Sequence, residues 1–256
     1  MKKILLATTL LAGTAGFASA EGHITFSGSA SAGIFSVGGA AFDAYVGAGL
    51  DVAFAGSTDG GLEFGASFGM TSGDSYNLDD GYAAGTGAFG APSVFISGSF
   101  GKIAFEGDEV AYTNSFGSVD LGLTADVVTG DITVEVDTDV SGLGLHMDTT
   151  TGGATNVSAT YTTGAFTAEV GADDASAWYV TGTYAAGAVT VSATSNSDAT
   201  WSASVDYAAD GMSVGFSTDD AGAWAVTGGY DLGGGLSLEA GMNAADDAFI
   251  GASMAF

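Results

Sequence analysis

Cysteine and arginine are absent, proline occurs once, and lysine occurs only three times in 256 residues. Each shortage removes a class of protein. No cysteine means no disulfide scaffold and no thiolate metal site. One proline and no period-three glycine exclude collagen. Three bases against 30 acids give a formal charge of -27. Nothing is left to neutralise phosphates, so nucleic acid is excluded as a partner. The only histidines are His23 and His146, and no phosphate loop, dinucleotide fingerprint or zinc spacing appears. His146 stands beside Asp148, but a lone histidine in a strand reads as a polar lining residue. No catalytic residue and no enzyme are expected.

What is present is hydrophobic and small. Hydrophobic residues make up 46% of the chain, too many for a disordered acidic polymer, and glycine contributes 43 residues. Residues 1–20 read as a signal peptide. Lys2 and Lys3 precede an apolar stretch from Ile4 to Phe17, and Ala18-Ser19-Ala20 is a small-x-small cleavage site. The mature chain, 21–256, is then a single domain with Lys102 alone against 30 acids. It has no run approaching the roughly 18 apolar residues of a membrane-spanning helix. Any crossing must use strands.

Period two dominates. From Phe42 to Phe54 the even positions are Phe42, Ala44, Val46, Ala48, Leu50, Val52 and Phe54, while Asp43, Tyr45, Gly47, Gly49, Asp51 and Ala53 fall between them. The pattern recurs at Ile24–Ile34, Leu62–Met70, Ile132–Val136 and Leu236–Met242. A soluble sandwich alternates too. Here the polar face is small or acidic, with almost no base to solvate an exterior, which favours a barrel with its apolar face to lipid and its polar face to a lumen.

The second half repeats every 23 residues. Trp178, Trp201 and Trp224 keep this spacing, as do Tyr161, Tyr184, Tyr207 and Tyr230. Each Trp lies six residues before its Tyr, on the same strand face and roughly 20 Å away. That places the rings at the two edges of an apolar band; filling a core is the bland alternative. Tight glycine turns follow each Tyr. Acidic links precede the Trp side, among them Asp173-Asp174, Asp219-Asp220 and Asp246-Asp247. Such oxygen clusters suit Ca²⁺ or are simply solvated turns; no other cofactor is expected. The chain ends on an alternating strand with Phe256, similar to the signal by which outer-membrane proteins engage the barrel insertion machinery.

The chain resembles the alphaproteobacterial outer-membrane general porins. The resemblance is carried by Ile24–Ala30, Gly61–Phe68, Ser93–Asp108, Tyr112–Leu123 and the terminal Phe256. It implies an all-β, antiparallel transmembrane β-barrel of 16 strands with short periplasmic turns and longer external loops. It also implies a homotrimer, surrounded by outer-membrane lipid of a Gram-negative bacterium, that passes small hydrophilic solutes through a water-filled channel. The strand count read from the turns themselves is 18, the difference lying in a hairpin near Asp131 to Asp148. The rival reading is a secreted or surface glycine-rich β protein with a structural or adhesive role.

Two departures follow from the residues. The family's arginine cluster at the constriction is missing. Carboxylates of lumen parity (Asp43, Asp51, Glu63, Glu106, Asp120, Glu135, Asp137, Glu169, Asp206, Glu239) face Lys102, with His146 nearby, so a cation-preferring pore is expected. The family's long loop is also displaced. Only Gly107 and Asp108 follow the Lys102–Glu106 strand, and the longest connection is Ser72 to Pro92, with Asp74, Asp79 and Asp80. That segment either lies over the pore or latches onto a neighbouring subunit.

Overall fold

The structure, a computed structural model, describes residues 22–78, 81–85 and 87–256. The expected signal peptide lies outside these residues, as do Asp79 and Asp80. Among the described residues every element is a strand. The chain begins with β1 (His23–Ser36), β2 (Asp43–Ser57) and β3 (Glu63–Gly73). Short pieces follow: β4 (Ser75–Asn77), β5 (Gly81–Ala83) and β6 (Ala88–Phe89). A meander continues through β7 (Ser93–Gly98), β8 (Gly101–Glu106), β9 (Glu109–Phe116), β10 (Val119–Asp126), β11 (Ile132–Val140), β12 (Leu143–Thr150), β13 (Thr155–Thr163) and β14 (Phe166–Asp173). It ends with β15 (Trp178–Ala186), β16 (Val189–Asn196), β17 (Trp201–Ala209), β18 (Met212–Asp219), β19 (Trp224–Gly233), β20 (Leu236–Asn243) and β21 (Ala248–Ala255).

All pairings are antiparallel between sequence neighbours, and β21 returns to pair with β1, so the sheet closes. β6 and β7 both pair with β3 and form one stave, broken at Gly90-Ala91-Pro92. A proline lacks the ladder donor, which suits such a break. β4 and β5 pair with each other as a separate two-stranded sheet. The barrel therefore has 18 staves, not the 16 that the resemblance implied. The β11–β12 hairpin, on which the two counts differed, is formed. Ser141 (φ 56°) and Gly142 (φ 84°) both adopt left-handed backbone, the two-residue turn whose twist matches that of the flanking strands.

Residues paired across a ladder share a face, so the faces can be followed around the wall. Phe35 is opposite Asp43, Asp51 opposite Gly69, Glu63 opposite Ser97, and Ser97 opposite Lys102. After all 18 staves the same face arrives at Phe249, again opposite Phe35. This face is the inner one. The β4–β5 hairpin packs on it through Tyr76, which stacks on Phe35 and meets Phe249 at a tilt, and its Leu78 shares a cavity with Ser192, Thr194 and Ser204 on distant staves. Only a segment inside the barrel can touch both.

The outer face holds Ile24, Phe26, Val46, Phe64, Ile96, Phe105, Val170, Val205, Leu238 and Ile250, all exposed. Buried hydrophobic residues are few: Phe35, Tyr45, Val52 and Tyr76. The oily faces are thus not packed on one another. In water each exposed apolar Å² would forgo about 25 cal/mol of burial, which a hydrocarbon surround restores.

Closure rests on close approach at the β1–β21 seam. The Tyr45 ring lies close to Gly33 and Gly251, whose absent side chains make room for it; a Cβ on Gly33 would come within 2.7 Å of the ring and one on Gly251 would meet its hydroxyl oxygen. Gly28 and Phe256 exchange backbone hydrogen bonds of 3.0 Å each. Gly251→Val should therefore destabilise the barrel by about 1–3 kcal/mol through overpacking. The check is the temperature at which the folded, fast-migrating form disappears from unboiled gels; an unchanged transition would refute the account.

Candidate functional site: the barrel lumen and its inner segment

A closed sheet with an apolar outside has one place for charge, and the wall uses it consistently. Asp43, Asp51, Glu63, Lys102, Glu106, Asp120, Glu135, Asp137, His146, Glu169, Asp206 and Glu239 all lie on the inner face by register. Further carboxylates join them that the sequence reading omitted: Glu109, Asp126, Asp139, Asp148, Asp173, Asp219 and Asp231. Asp139 and Asp148 sit two residues from Asp137 and His146, so parity alone could have found them. Among the described residues, every carboxylate within a barrel strand points inward.

Local contacts hold these groups in place. Lys102 Nζ stands 4.6 Å from the centroid of the Phe95 ring, a cation–π arrangement. It borders a cavity of about 680 Å³ together with Glu63, Ser97, Thr113, Asp120, Glu135 and Asp137. Ser253 donates to Glu239 Oε1 at 2.8 Å, and the Tyr179 hydroxyl donates to Glu169. His146 is bracketed, with Nδ1 2.7 Å from Asp137 Oδ1 and Nε2 3.3 Å from Asp148 Oδ1.

The longest connection lies inside. Tyr76 and Tyr82 stack on the Phe35 ring at 4.6 and 5.0 Å, and Tyr45 and Phe249 close the cluster. Asp74 anchors the base: its N–H donates to Val46 O at 2.7 Å, and its Oδ1 accepts from Gly85 N at 3.1 Å. Burial raises the Tyr76 phenol pKa. Desolvation, then the hydrogen bond to Asp74, raises that of Tyr82. Both rings therefore stay neutral in the stack. The sequence reading set Tyr45 on the polar face by parity but did not single out Phe35, Tyr45 and Phe249 as a cluster, because their ring partners come from the distant Ser72–Pro92 connection.

The acidic loops have a turn-forming role. Asp173 Oδ1 accepts from Ala177 N at 2.7 Å, and Asp219 Oδ1 from Ala223 N at 2.9 Å. Asn243 Oδ1 does the same for Asp247 N at 3.1 Å. Asp220 accepts from Trp201 N, and Asp247 from Gly38 N. Asp and Asn close such loops through their side chains. At Asp198 the Thr200 hydroxyl and N–H hold the carboxyl below its usual range. Asp174 and Asp246 flank these turns, and among the described residues none of Asp173, Asp174, Asp219, Asp220, Asp246 and Asp247 falls in a cluster with metal-ligand spacing.

The outer aromatics sit where the repeat put them. Trp178, Trp201 and Trp224 open β15, β17 and β19, and Tyr184, Tyr207 and Tyr230 lie near the other ends of the same staves. Tyr161 and Phe256 are likewise exposed. Four-residue loops border the Trp rim, and two-residue turns border the Tyr rim.

Comparison with known proteins agrees with this geometry. A family model described as Gram-negative porin matches residues 7–105. A triple mutant of Rhodopseudomonas blastica porin superposes with a TM-score of 0.57 at 16% identity, covering 91% of this chain and 100% of that one. A porin structure refined at 1.8 Å gives 0.53 at 18% identity, with the same coverage. A Salmonella typhi OmpF complex with daunomycin gives 0.51 at 10% identity, covering 91% and 97%. No curated protein matches the sequence. The chain is thus similar to Gram-negative porins in sequence over 7–105 and has the porin fold. The family match indicates the outer membrane.

Proposed function

We infer that this porin-fold barrel of the outer membrane is a water-filled channel for passive diffusion of small hydrophilic solutes and ions, with a preference for cations. One observation carries the reading: within the barrel strands every described carboxylate faces inward, while the exposed large apolar side chains face out. Charge buried against hydrocarbon would cost several kcal/mol per group, so such a wall must enclose water. The inward charge is nearly all negative, which draws cations in and repels anions. Asp43, Asp51, Glu63, Lys102, Glu106, Asp120, Glu135, Asp137, His146, Glu169, Asp206 and Glu239 would line the path. The β4–β5 hairpin, with Asp74 at its base, would narrow it.

The remaining assignments follow from this reading. Residues 1–20 direct export and are removed. The β21 strand with Phe256 engages the barrel insertion machinery, the Trp and Tyr rings sit at the lipid interfaces, and the barrel assembles as a homotrimer. The acidic loops serve as turns, no resident cofactor is needed, and the barrel performs no catalysis. Purified protein in a planar bilayer should give stepwise conductance in KCl. A folded, heat-modifiable protein that inserts without any conductance step would refute the channel.

A further inference from the structure

One group of side chains on the lumen wall has no part in closing the barrel or in forming a turn. β11 and β12 place Asp137 opposite His146 and Glu135 opposite Asp148, so four donors occupy the corners of one patch on a rigid ladder. His146 Nδ1 lies 2.7 Å from Asp137 Oδ1 and 3.8 Å from Glu135 Oε1. The ligand atoms of Glu135, Asp137 and His146 all fall within 4.8 Å of one another. Behind them, Asp148 Oδ1 takes the other ring nitrogen at 3.3 Å, and Asn156 Nδ2 donates to Asp148 Oδ2 at 2.9 Å.

We propose that Glu135, Asp137 and His146 bind a divalent zinc-class cation on the lumen wall, with Asp148 as the residue that positions the imidazole. Zinc bonds of about 2.0–2.2 Å set two ligand atoms on a tetrahedral ion roughly 3.3–3.5 Å apart. The two measured separations bracket that value, so side-chain shifts under about 1 Å suffice. A mixed nitrogen and oxygen set selects a borderline metal over Ca²⁺ or Mg²⁺, which prefer oxygen alone. The Asp148 carboxylate on the far nitrogen fixes the ring and directs Nδ1 to the metal, a recurrent feature of histidine metal sites. Because the strands already hold the donors, little conformational freedom is lost on binding. The surrounding acidic wall raises the local divalent concentration, and Asp120, opposite Asp137, adds to it. A bound ion would cancel part of the negative lumen charge and weaken the cation preference.

The test is calorimetric titration of the full folded barrel in detergent with Zn²⁺. One Zn²⁺ per chain is expected, retained in a hundredfold excess of Ca²⁺. His146→Ala should weaken binding more than tenfold, and Asp148→Asn about tenfold, with both variants checked for the heat-modifiable folded band. Should His146→Ala fail to fold, His146→Gln carries the same comparison. Binding unchanged by the histidine variants, or displaced by Ca²⁺, would overturn the site and leave only diffuse attraction to acidic side chains. Bilayer recordings made alongside separate the two readings: Zn²⁺ binding without conductance would sink the channel and spare the site, and conductance without binding the reverse.

Discussion

Replacing residues 75–87 by a short Gly-Ser linker, which leaves β6 in the wall, should raise single-channel conductance roughly two- to threefold. Strands about 4.8 Å apart, tilted by about 40°, put the backbone of an 18-stave barrel at a radius of roughly 18 Å. Inward side chains narrow this further, and a two-stranded hairpin about 10 Å wide then obstructs a large share of what remains. The hairpin starts at one rim after β3, stacks Tyr76 and Tyr82 on Phe35, and extends Leu78 toward the wall of β16 to β20. A milder version separates obstruction from damage to the barrel. The double variant Tyr76→Ala and Tyr82→Ala leaves every stave intact and removes the stack, so open-channel current noise should increase. Unchanged conductance in the shortened protein, with folding intact, would show that the hairpin lies clear of the conducting path.

The second large effect concerns selectivity. Under a tenfold KCl gradient the reversal potential should carry the sign of a cation-selective pore. Changing Asp43, Asp51, Glu63 and Glu239 together to lysine should move it toward, or past, zero. These four share the inner face on β2, β3 and β20; Asp43, Asp51 and Glu239 lie near the seam that holds the hairpin, while Glu63 lines the same cavity as Glu135 and Asp137. The preference should also be strong at low salt and weak at 1 M, since the screening length falls from about 10 Å at 0.1 M to 3 Å. A wild-type potential favouring chloride would refute the electrostatic account; an unshifted variant would show that these four do not set it.

Several features were legible from residue order because they are local. Alternation at Phe42–Phe54 assigned faces that the ladder from β1 to β3 reproduces. The 23-residue spacing located Trp178, Trp201 and Trp224 at strand starts, and the turn residues supported 18 staves where resemblance implied 16. Other features were hidden for a physical reason. Phe35, Tyr45 and Phe249 are inward aromatics whose side follows from parity, but their partners Tyr76 and Tyr82 lie in a connection whose course no local pattern fixes. That Asp173 and Asp219 close their own loops was likewise hidden, because the accepting role depends on the backbone geometry of the turn.

Residue order by itself determined the strand faces, the placing of the Trp and Tyr rings at opposite strand ends and the sign of the inward charge, because a side chain's direction along a strand depends on parity alone. Tertiary structure decided where the Ser72–Pro92 connection goes, that Tyr76 stacks on Phe35, and that Glu135, Asp137, His146 and Asp148 share one patch. Those outcomes depend on register and closure between distant segments, and each was one of many pairings that the same alternating pattern permits.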